Sequence, residues 1–332
     1  MNESEKRKRA LSFSVSKKQL PLLICILLIL NACQSLQATP SPPAETQAPD
    51  TGDPASEIPM KRSPRPHLTP KITEEISEVP TLVAGTPGSE IFAQDALTIT
   101  ILYDNYPYDQ RLKTAWGFAA LVEYREHVLL FDTGGEGPIF IDNLQTLGID
   151  PTRIQSVLLS HAHGDHTGGL SALLGTGVRP VVYPLPSFTG SIKYQVDQIT
   201  TMVETAPEQP IAEGLYTTGE IRYGIPEQAL VVDTSKGLVV ITGCAHPGIV
   251  RIVERAKTAF DRPVHLVLGG FHLVDQSDSS IAAILEEFRR LGVEKVAPCH
   301  CTGDQAIGMF KQEYGADFVQ VGVGKEIVVN GE

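Results

Sequence analysis

The feature that most constrains this chain is the stretch SHAHGDHTGGL, residues 160–170. It places His161, His163, Asp165 and His166 within six residues. The apolar run IQSVLLS leads directly into them and predicts a buried strand that ends at the cluster. Neutral imidazoles would crowd polar rings against the core there, and protonated imidazoles would repel one another. The pattern therefore predicts a bound cation.

The spacing within the cluster divides its members into two sets. His161 and His163 are two residues apart, so in extended backbone their rings lie on one side and can meet a single ion. Asp165 and His166 follow at the start of a helix predicted over DHTGGLSALL, and they would face a neighbouring position. Because a tetrahedral zinc takes about four ligands, two ions would need ligands from elsewhere in the chain.

Three further histidines end apolar runs downstream. VVITGCAH ends in His246, HLVLGGFH in His272 and KVAPCH in His300. Ligands at the same end of adjacent strands converge on one crevice, so these residues complete the predicted site. His127 and His265 begin strands instead and are expected to be ordinary residues. The alternative for the cluster is a hydrogen-bonded polar knot without metal.

The order of elements predicts the fold class. From about residue 93 the chain runs through strands, a strand–helix part, strands again and a second strand–helix part. This order predicts two similar halves whose sheets pack together with helices outside, a four-layered αββα sandwich of the α/β (α+β) class. We assign the catalytic domain to residues 81–332. Residues 184–223 lie between the halves and could cap the site, and DNYPYDQ, residues 104–110, could line the pocket.

The N-terminal part has a different composition. Residues 1–19 are rich in lysine and arginine, and the apolar run LPLLICILLILNAC has the length of a signal-peptide core rather than of a membrane span. Its end, LNAC, resembles the bacterial lipobox and makes Cys33 the expected lipidated residue of a 1–33 signal peptide. An uncleaved short anchor is the alternative. Residues 34–80 are rich in Pro, Ser and Thr and predict a disordered tether. Both interpretations predict an exported protein, membrane-anchored outside the cytoplasmic membrane or in the cell envelope.

Charge and cysteine content exclude other classes. The net charge of −12 offers no basic field for nucleic acid, so we expect a small-molecule substrate and no nucleic-acid partner. Beyond the export segment, Cys244, Cys299 and Cys301 form an odd set that does not predict a disulfide framework. Each lies within two residues of a candidate histidine, which leaves a metal-adjacent role open, but small buried core residues are the favoured interpretation.

These motifs resemble those of a known family. HAHGDH is similar to the signature of metallo-β-lactamase-fold hydrolases. FDTGG, TGCAHPGIV, GGFHL and PCHCTG resemble the subgroup of dihydropterin/ribofuranosylaminobenzene-phosphate-synthase-like proteins, from about residue 97 to the C-terminus. The resemblance implies two divalent ions, with zinc favoured over manganese or iron. It implies that the first is held by His161, His163 and His246 and the second by Asp165, His166 and His300, with Asp132 supporting the histidines and Asp104 and Asn105 matching a recurrent pair near the pocket.

One position departs from the wider superfamily. Many members place an aspartate that bridges both metals at the end of the strand after the third histidine. Here that strand ends in Gly269 and Gly270, followed by His272, and Asp275 comes late. We therefore expect His272 to act as a replacement ligand or as a proton donor to a substrate oxygen.

The expected chemistry is hydrolysis. A metal-bound hydroxide would attack an ester, phosphodiester or related bond of a small molecule, with Asp165 orienting the hydroxide and His272 neutralising the oxyanion. Two alternatives stay open: a pterin-related transferase, against which the exported location argues, and a non-catalytic metal-loaded binding protein. Lactam hydrolysis would rest on fold analogy alone.

Overall fold

A computed structural model describes residues 96–331. The predicted signal peptide, the predicted tether and residues 81–95 lie outside the described residues. Within the described range, no helix has the length and apolar character that a membrane crossing requires.

The described residues contain twelve strands and seven α-helices. The strands are β1 (Leu97–Tyr103), β2 (Ala119–Tyr124), β3 (His127–Phe131), β4 (Ser156–Leu158), β5 (Val181–Tyr183), β6 (Pro210–Ala212), β7 (Leu215–Thr217), β8 (Leu230–Thr234), β9 (Gly237–Thr242), β10 (Val264–Gly270), β11 (Lys295–Cys299) and β12 (Glu326–Val329). The helices are α1 (Gly137–Thr146), α2 (Gly164–Thr167), α3 (Leu170–Gly175), α4 (Gly190–Asp197), α5 (Ile249–Phe260), α6 (Asp278–Leu291) and α7 (Asp304–Tyr314).

The strands form two six-stranded sheets. The first has the order β12-β1-β2-β3-β4-β5 and the second the order β11-β10-β9-β8-β7-β6. In each sheet, antiparallel hairpins give way to three parallel neighbours, β3-β4-β5 and β9-β10-β11. The two halves are thus similar in plan, as predicted. The last strand, β12, pairs with β1 and so ties the C-terminus to the first half.

Apolar side chains fill the space between the sheets and cover both outer faces. Phe131 and Ile99 from the first sheet meet Ile241 and Leu268 from the second in one buried cluster. Helices α5, α6 and α7 bury their apolar faces on the outside of the second sheet, and α1 and α3 do so on the first. Each helix buries one stripe and each sheet buries both faces, so the four layers follow from the apolar pattern. The predicted αββα sandwich is confirmed.

The single helix predicted over residues 165–174 is wrong, because α2 and α3 are separate. The carbonyl oxygen of Asp165 accepts from Phe118 N at 3.3 Å, and that of His166 accepts from Thr133 N at 2.8 Å, so neither extends a helix. Gly169 packs without a side chain against this loop, since a Cβ there would lie 2.1 Å from Thr133 O. The break holds the histidine cluster against the end of β3.

The segment between the halves has more structure than the sequence predicted. It contains α4, and β6 and β7 extend the second sheet through the antiparallel pairing of β7 with β8. Phe188 and Val196 are buried on the outside of the first sheet. Most of this segment therefore serves the fold rather than covering the predicted site.

Candidate metal centre and active site

The strand ends of both sheets converge, as the sequence predicted. Asp132 follows β3, and His161 follows β4 in the first sheet. His246, His272 and His300 follow β9, β10 and β11, which are parallel neighbours in the second sheet. Because the carboxyl ends of parallel neighbours share one edge, the packing of the two sheets brings all five loops together.

The backbone of these loops is strained. Seven non-glycine residues among those described have positive φ, and four of them lie here: Asp132 (56°), Ala245 (59°), His272 (55°) and His300 (49°). Such conformations cost on the order of 1–3 kcal/mol each and persist only where the surrounding structure requires them. The concentration of strained residues at this edge favours a functional role for it.

His161, His163 and His246 form one group. Their ring centroids lie 4.7–4.8 Å apart, and His161 Nε2 is 3.1 Å from His163 Nδ1. Burial, reinforced by the neighbouring imidazoles, holds the pKa of His161 far below its usual range, and burial with His272 nearby lowers that of His246 to about 4. Both rings are therefore neutral near pH 7, the form in which imidazole binds a metal.

Asp165, His166 and His300 form a second group beside the first. Asp165 Oδ2 lies 3.5 Å from His166 Nε2 and 3.4 Å from His300 Nε2. Burial opposes the ionised form of Asp165, but the close contact with His300 and the neighbouring imidazoles hold its pKa well below its usual range. The two histidines are buried, and Asp165 stays partly open to solvent.

The geometry of both groups fits a metal ion. Zinc–nitrogen and zinc–oxygen bonds of about 2.0–2.2 Å around a tetrahedral ion place the ligand atoms roughly 3.3–3.6 Å from one another. The separations of 3.1 Å, 3.4 Å and 3.5 Å given above are close to this range. The buried Nε2 atoms of His246 and His300 also make no hydrogen bond. Because a buried polar atom without a partner is costly, both atoms are suited to a metal ligand role.

Asp132 supports both groups. Its Oδ2 lies 2.7 Å from His166 Nδ1 and accepts from Ser160 Oγ at 2.7 Å, while Oδ1 accepts from Ser160 N at 2.7 Å. Ser160 Oγ in turn is 2.9 Å from His161 Nδ1. One buried carboxylate thus orients a histidine of each group, directly or through Ser160, as outer partners of metal ligands do. Burial opposes the protonation of His166, but Asp132 outweighs it and raises the pKa of His166.

The pair at the end of β1 has two different roles. Asn105 Oδ1 lies 3.0 Å from His300 Nδ1, and Asn105 Nδ2 donates to His300 O at 3.3 Å, so Asn105 orients this histidine. Asp104 is fully buried and accepts from Tyr106 N at 3.0 Å. Asp104 therefore shapes the loop after β1, and its place near the pocket stays a prediction.

The comparisons with known proteins agree with this geometry. The profile of the Metallo-beta-lactamase superfamily matches residues 117–188. The crystal structure of Tm1679, a metal-dependent hydrolase of the beta-lactamase superfamily, is 31% identical, covers 70% of this chain and 99% of its own, and superposes with a TM-score of 0.60. This chain belongs to the metallo-β-lactamase superfamily.

Two further proteins are similar to this chain, and they support different conclusions, one about the subgroup and one about the fold. The 7,8-dihydropterin-6-methyl-4-(beta-D-ribofuranosyl)-aminobenzene-5'-phosphate synthase of Methanocaldococcus jannaschii is 29% identical over 288 residues, which are 70% of this chain and 97% of that protein. It confirms the resemblance to the subgroup. The metallo-beta-lactamase fold protein YhfI from Bacillus subtilis, 16% identical with a TM-score of 0.53 over 71% of this chain and all of its own, supports the fold alone.

The strand end that carries a bridging aspartate in many superfamily members has no room for one here. A Cβ at Gly270 would lie 2.4 Å from Gly243 O and 2.7 Å from Cys301 Sγ. Asp275 lies farther along, on an exposed loop. His272 is exposed, and its ring is 4.3 Å from the ring of His246. A hydrogen bond with Cys301, opposed by burial, raises the pKa of His272.

Glu227 is a site residue that sequence analysis missed in this metallo-β-lactamase fold. Its Oε1 accepts from the backbone N–H groups of Gly243 at 3.1 Å, Cys244 at 2.9 Å and Ala245 at 2.8 Å, and Oε2 accepts from His246 N at 2.8 Å. Burial raises the pKa of Glu227 to about 7, against the effect of these donors. Glu227 fixes the loop that carries His246. In the sequence, Glu227 lies shortly before the apolar strand β8, and no residue pattern there indicates a functional side chain.

Cys244 is the second residue that the sequence did not assign to the site. Cys244 and Cys301 are buried, as expected of small core residues. However, Cys244 Sγ lies 3.2 Å from His166 Nε2, inside the histidine cluster. The run Cys-Ala-His repeats the i, i+2 spacing of His161 and His163, which is the signal that could have identified it.

A cavity of about 400 Å³ opens beside His246 of the first group. His246 and His272 line one side, and Phe271 and Ile284 provide apolar walls. Arg251 also lines it, with its guanidinium 3.8 Å from the centre of the Tyr223 ring. Tyr223, at the end of the segment between the halves, therefore contacts a residue that lines the cavity, and the capping role of this segment stays a prediction.

Proposed function

We propose that this protein is a metal-dependent hydrolase with two divalent ions, zinc being the favoured metal. The observation that carries the proposal is the pair of adjacent ligand groups, whose donor separations fit tetrahedral coordination and whose buried Nε2 atoms lack partners. The ligands would be His161, His163 and His246 for the first ion and Asp165, His166 and His300 for the second.

Asp165 and His272 have different proposed roles, which follow from their exposure to solvent. Two bound ions would lower the pKa of a water molecule and hold the oxygens of the substrate. Asp165 is partly open to solvent and would accept a hydrogen bond from the attacking water, which fixes its orientation. His272 is exposed and lines the cavity, where its ring can donate a proton to the departing oxygen.

The cavity supports a small anionic substrate. Its walls are largely apolar, and Arg251 presents a guanidinium that is stacked on Tyr223. Guanidinium groups bind carboxylates and phosphates through two parallel hydrogen bonds. We therefore propose an ester or a phosphodiester that carries an apolar part and an anionic group.

Metal analysis of the full chain tests the proposal. Elemental analysis should find about two equivalents of metal in the wild type, fewer in His161→Ala, and the wild-type content in His127→Ala. His127 is the matched control because its Nε2 bonds Ser156 Oγ at 2.7 Å, at the start of β3. The wild type should also cleave chromogenic esters or phosphodiesters. A folded, metal-free wild type would contradict the proposal, and a metal-loaded protein without turnover would favour a binding protein.

A pterin-related synthase is the second candidate. It is supported by the similarity to the archaeal synthase over 97% of that protein. The predicted export argues against it, because pterin substrates are cytoplasmic. Titration with 7,8-dihydropterin, followed by its fluorescence, tests this candidate. Saturable binding would favour the synthase, and absence of binding would favour the hydrolase.

We also propose that the protein is exported and anchored to the membrane through a lipid on Cys33. The proposal is supported by the basic N-terminus, the apolar run and the LNAC sequence. Labelled palmitate should enter the wild type, and Cys33→Ala should abolish labelling, whereas Cys25→Ala should keep it. Equal labelling of both variants would contradict lipidation at Cys33.

A further inference from the structure

We infer that Cys244 supplies a thiolate sulfur shared by both metal subsites, in the role that an aspartate fills in many members of the superfamily. The inference rests on the metal site proposed above. It adds a seventh ligand that links the two groups, and it assigns a function to a cysteine that is otherwise a small buried residue.

The position of the sulfur carries the inference. Cys244 Sγ lies within 4.8 Å of the ligand atoms of Asp165, His166 and His300, and also within 4.8 Å of those of His161 and His246. Its 3.2 Å distance from His166 Nε2 is close to the roughly 3.5 Å expected of a sulfur and a nitrogen bound to one tetrahedral zinc. The sulfur thus lies within reach of both proposed ligand groups.

The unpartnered atoms of the cluster point to the same place. His300 is 1% exposed, and its Nε2 makes no hydrogen bond although it lies among Asp165, His166 and Cys244. The Nε2 of His246 is likewise buried without a partner, in the group that contains His161 and Cys244. Each subsite therefore combines an unpartnered imidazole nitrogen with the same sulfur.

The backbone holds Cys244 in this position. Cys244 N donates to Glu227 at 2.9 Å, and Ala245 adopts the left-handed conformation that turns the chain toward His246. Gly243 has no side chain and so approaches the first sheet, since a Cβ there would lie 2.1 Å from Ser160 Oγ. Ser160 contacts His161, so this close approach sets the sulfur against the histidines of the first sheet.

At Gly270, neighbouring atoms occupy the space that a bridging carboxylate would need. A side chain at Gly270 would collide with Gly243 O and Cys301 Sγ. Cys301 donates to Cys244 O at 3.6 Å, and among the described residues it joins a potential ligand group only with Cys244 and His272. Cys301 therefore lies to one side of the two subsites and is a matched control for Cys244.

A shared thiolate would also influence which metal binds. Sulfur is a soft ligand that favours zinc and iron, whereas manganese and magnesium prefer oxygen. We expect the purified protein to select zinc, iron or cobalt over manganese when the ions compete at equal concentration. Cys244→Ser should weaken this selection, and Cys301→Ser should keep it.

X-ray absorption at the zinc edge of the full, zinc-loaded chain tests the inference. A sulfur shared by two ions gives about one sulfur neighbour per zinc near 2.3 Å, whereas a sulfur bound to one ion gives about half of that. With cobalt in place of zinc, a near-ultraviolet sulfur-to-cobalt charge-transfer band should appear in the wild type and in Cys301→Ser, and it should be absent from Cys244→Ser.

The outcomes separate this inference from the proposed function. About two bound zinc ions without sulfur neighbours, or with about half a sulfur per zinc, would overturn the shared thiolate and leave the hydrolase proposal intact. A charge-transfer band lost in Cys301→Ser and kept in Cys244→Ser would also overturn it. A folded chain without metal would overturn both. The absorption measurement uses the wild type, so it decides the question even if Cys244→Ser fails to fold.

Discussion

The substitution Glu227→Gln tests how the loop that carries Cys244 and His246 is held in place. In the wild type one buried carboxylate accepts four backbone N–H groups, three at Oε1 and one at Oε2. An amide has one oxygen and one nitrogen in the same positions. If the oxygen keeps the three donors on its side, the NH₂ group faces His246 N, and two donors then oppose each other.

The expected loss follows from these four bonds. One backbone N–H without an acceptor costs about 1–3 kcal/mol, and above pH 7, where the Glu227 carboxyl group is ionised, the three others change from charge-assisted to neutral bonds at roughly 1 kcal/mol each. Burial of a neutral group instead of a charge offsets part of this. We expect a net destabilisation of about 2–3 kcal/mol. Glu227→Ala would leave all four donors without an acceptor, about 4–12 kcal/mol in total, which is comparable to the whole stability of a domain.

Two measurements test the expected destabilisation and its consequence for metal binding. Denaturant unfolding of the metal-free protein gives the free energy of unfolding, and competition with a chelating indicator gives the zinc affinity. We expect the affinity of Glu227→Gln to fall about 10–100-fold, as for other partners that orient metal ligands. Glu286→Gln is the control, because Glu286 is exposed on α6 and should change stability by less than about 0.5 kcal/mol. If Glu227→Gln matches this control in both measurements, the proposed role of the carboxylate is refuted.

Two other substitutions test the packing and the support of the site. Gly270→Ala should destabilise the protein by about 1–3 kcal/mol in denaturant unfolding, because the added Cβ would collide with Gly243 O and Cys301 Sγ. Gly308→Ala is the control: Gly308 is exposed in α7, a Cβ there would have no atom within 4 Å, and the substitution should stabilise the protein by about 1 kcal/mol. Asp132→Asn should lower zinc affinity about 10–100-fold through loss of the His166 orientation, while Asp142→Asn, which loses only a surface ion pair, should keep it. Equal effects within either pair would contradict the assignment.

The histidine groups could be predicted from the sequence because their ligands lie in the segments that follow strands β4, β9 and β11. An apolar run and its polar end residue are adjacent in the chain, so the sequence pattern carries both the element and the ligand. The apolar run that precedes His272 lies in β10, Val264–Gly270, for the same reason. His246 and His300 are fixed relative to His161 only by the packing of two sheets, but the common strand end already indicated their convergence.

Glu227 and Cys244 could not be predicted in the same way. Glu227 acts through backbone N–H groups of residues 243–246, which any sequence could supply, so no residue pattern reveals the contact. Cys244 lies beside His166 only because Gly243 approaches Ser160. The short strands β5, β6 and β7 have three residues each, too few to show a periodic pattern.

The division of ligands between the sheets predicts how metal affects stability. In both proposed subsites the first sheet supplies two ligands, His161 with His163 or Asp165 with His166, and the second sheet supplies one histidine together with the inferred sulfur of Cys244. An ion bound by both sheets stabilises only the packed sandwich, since the unfolded chain does not bring them together. At 100-fold excess over the dissociation constant, one such ion adds about 2.7 kcal/mol. Removal of metal from the full chain by a chelator should therefore lower the melting temperature of the whole sandwich in one transition, and zinc should restore it. A melting temperature that does not respond to zinc, in a protein that binds zinc, would show that the site does not join the two sheets.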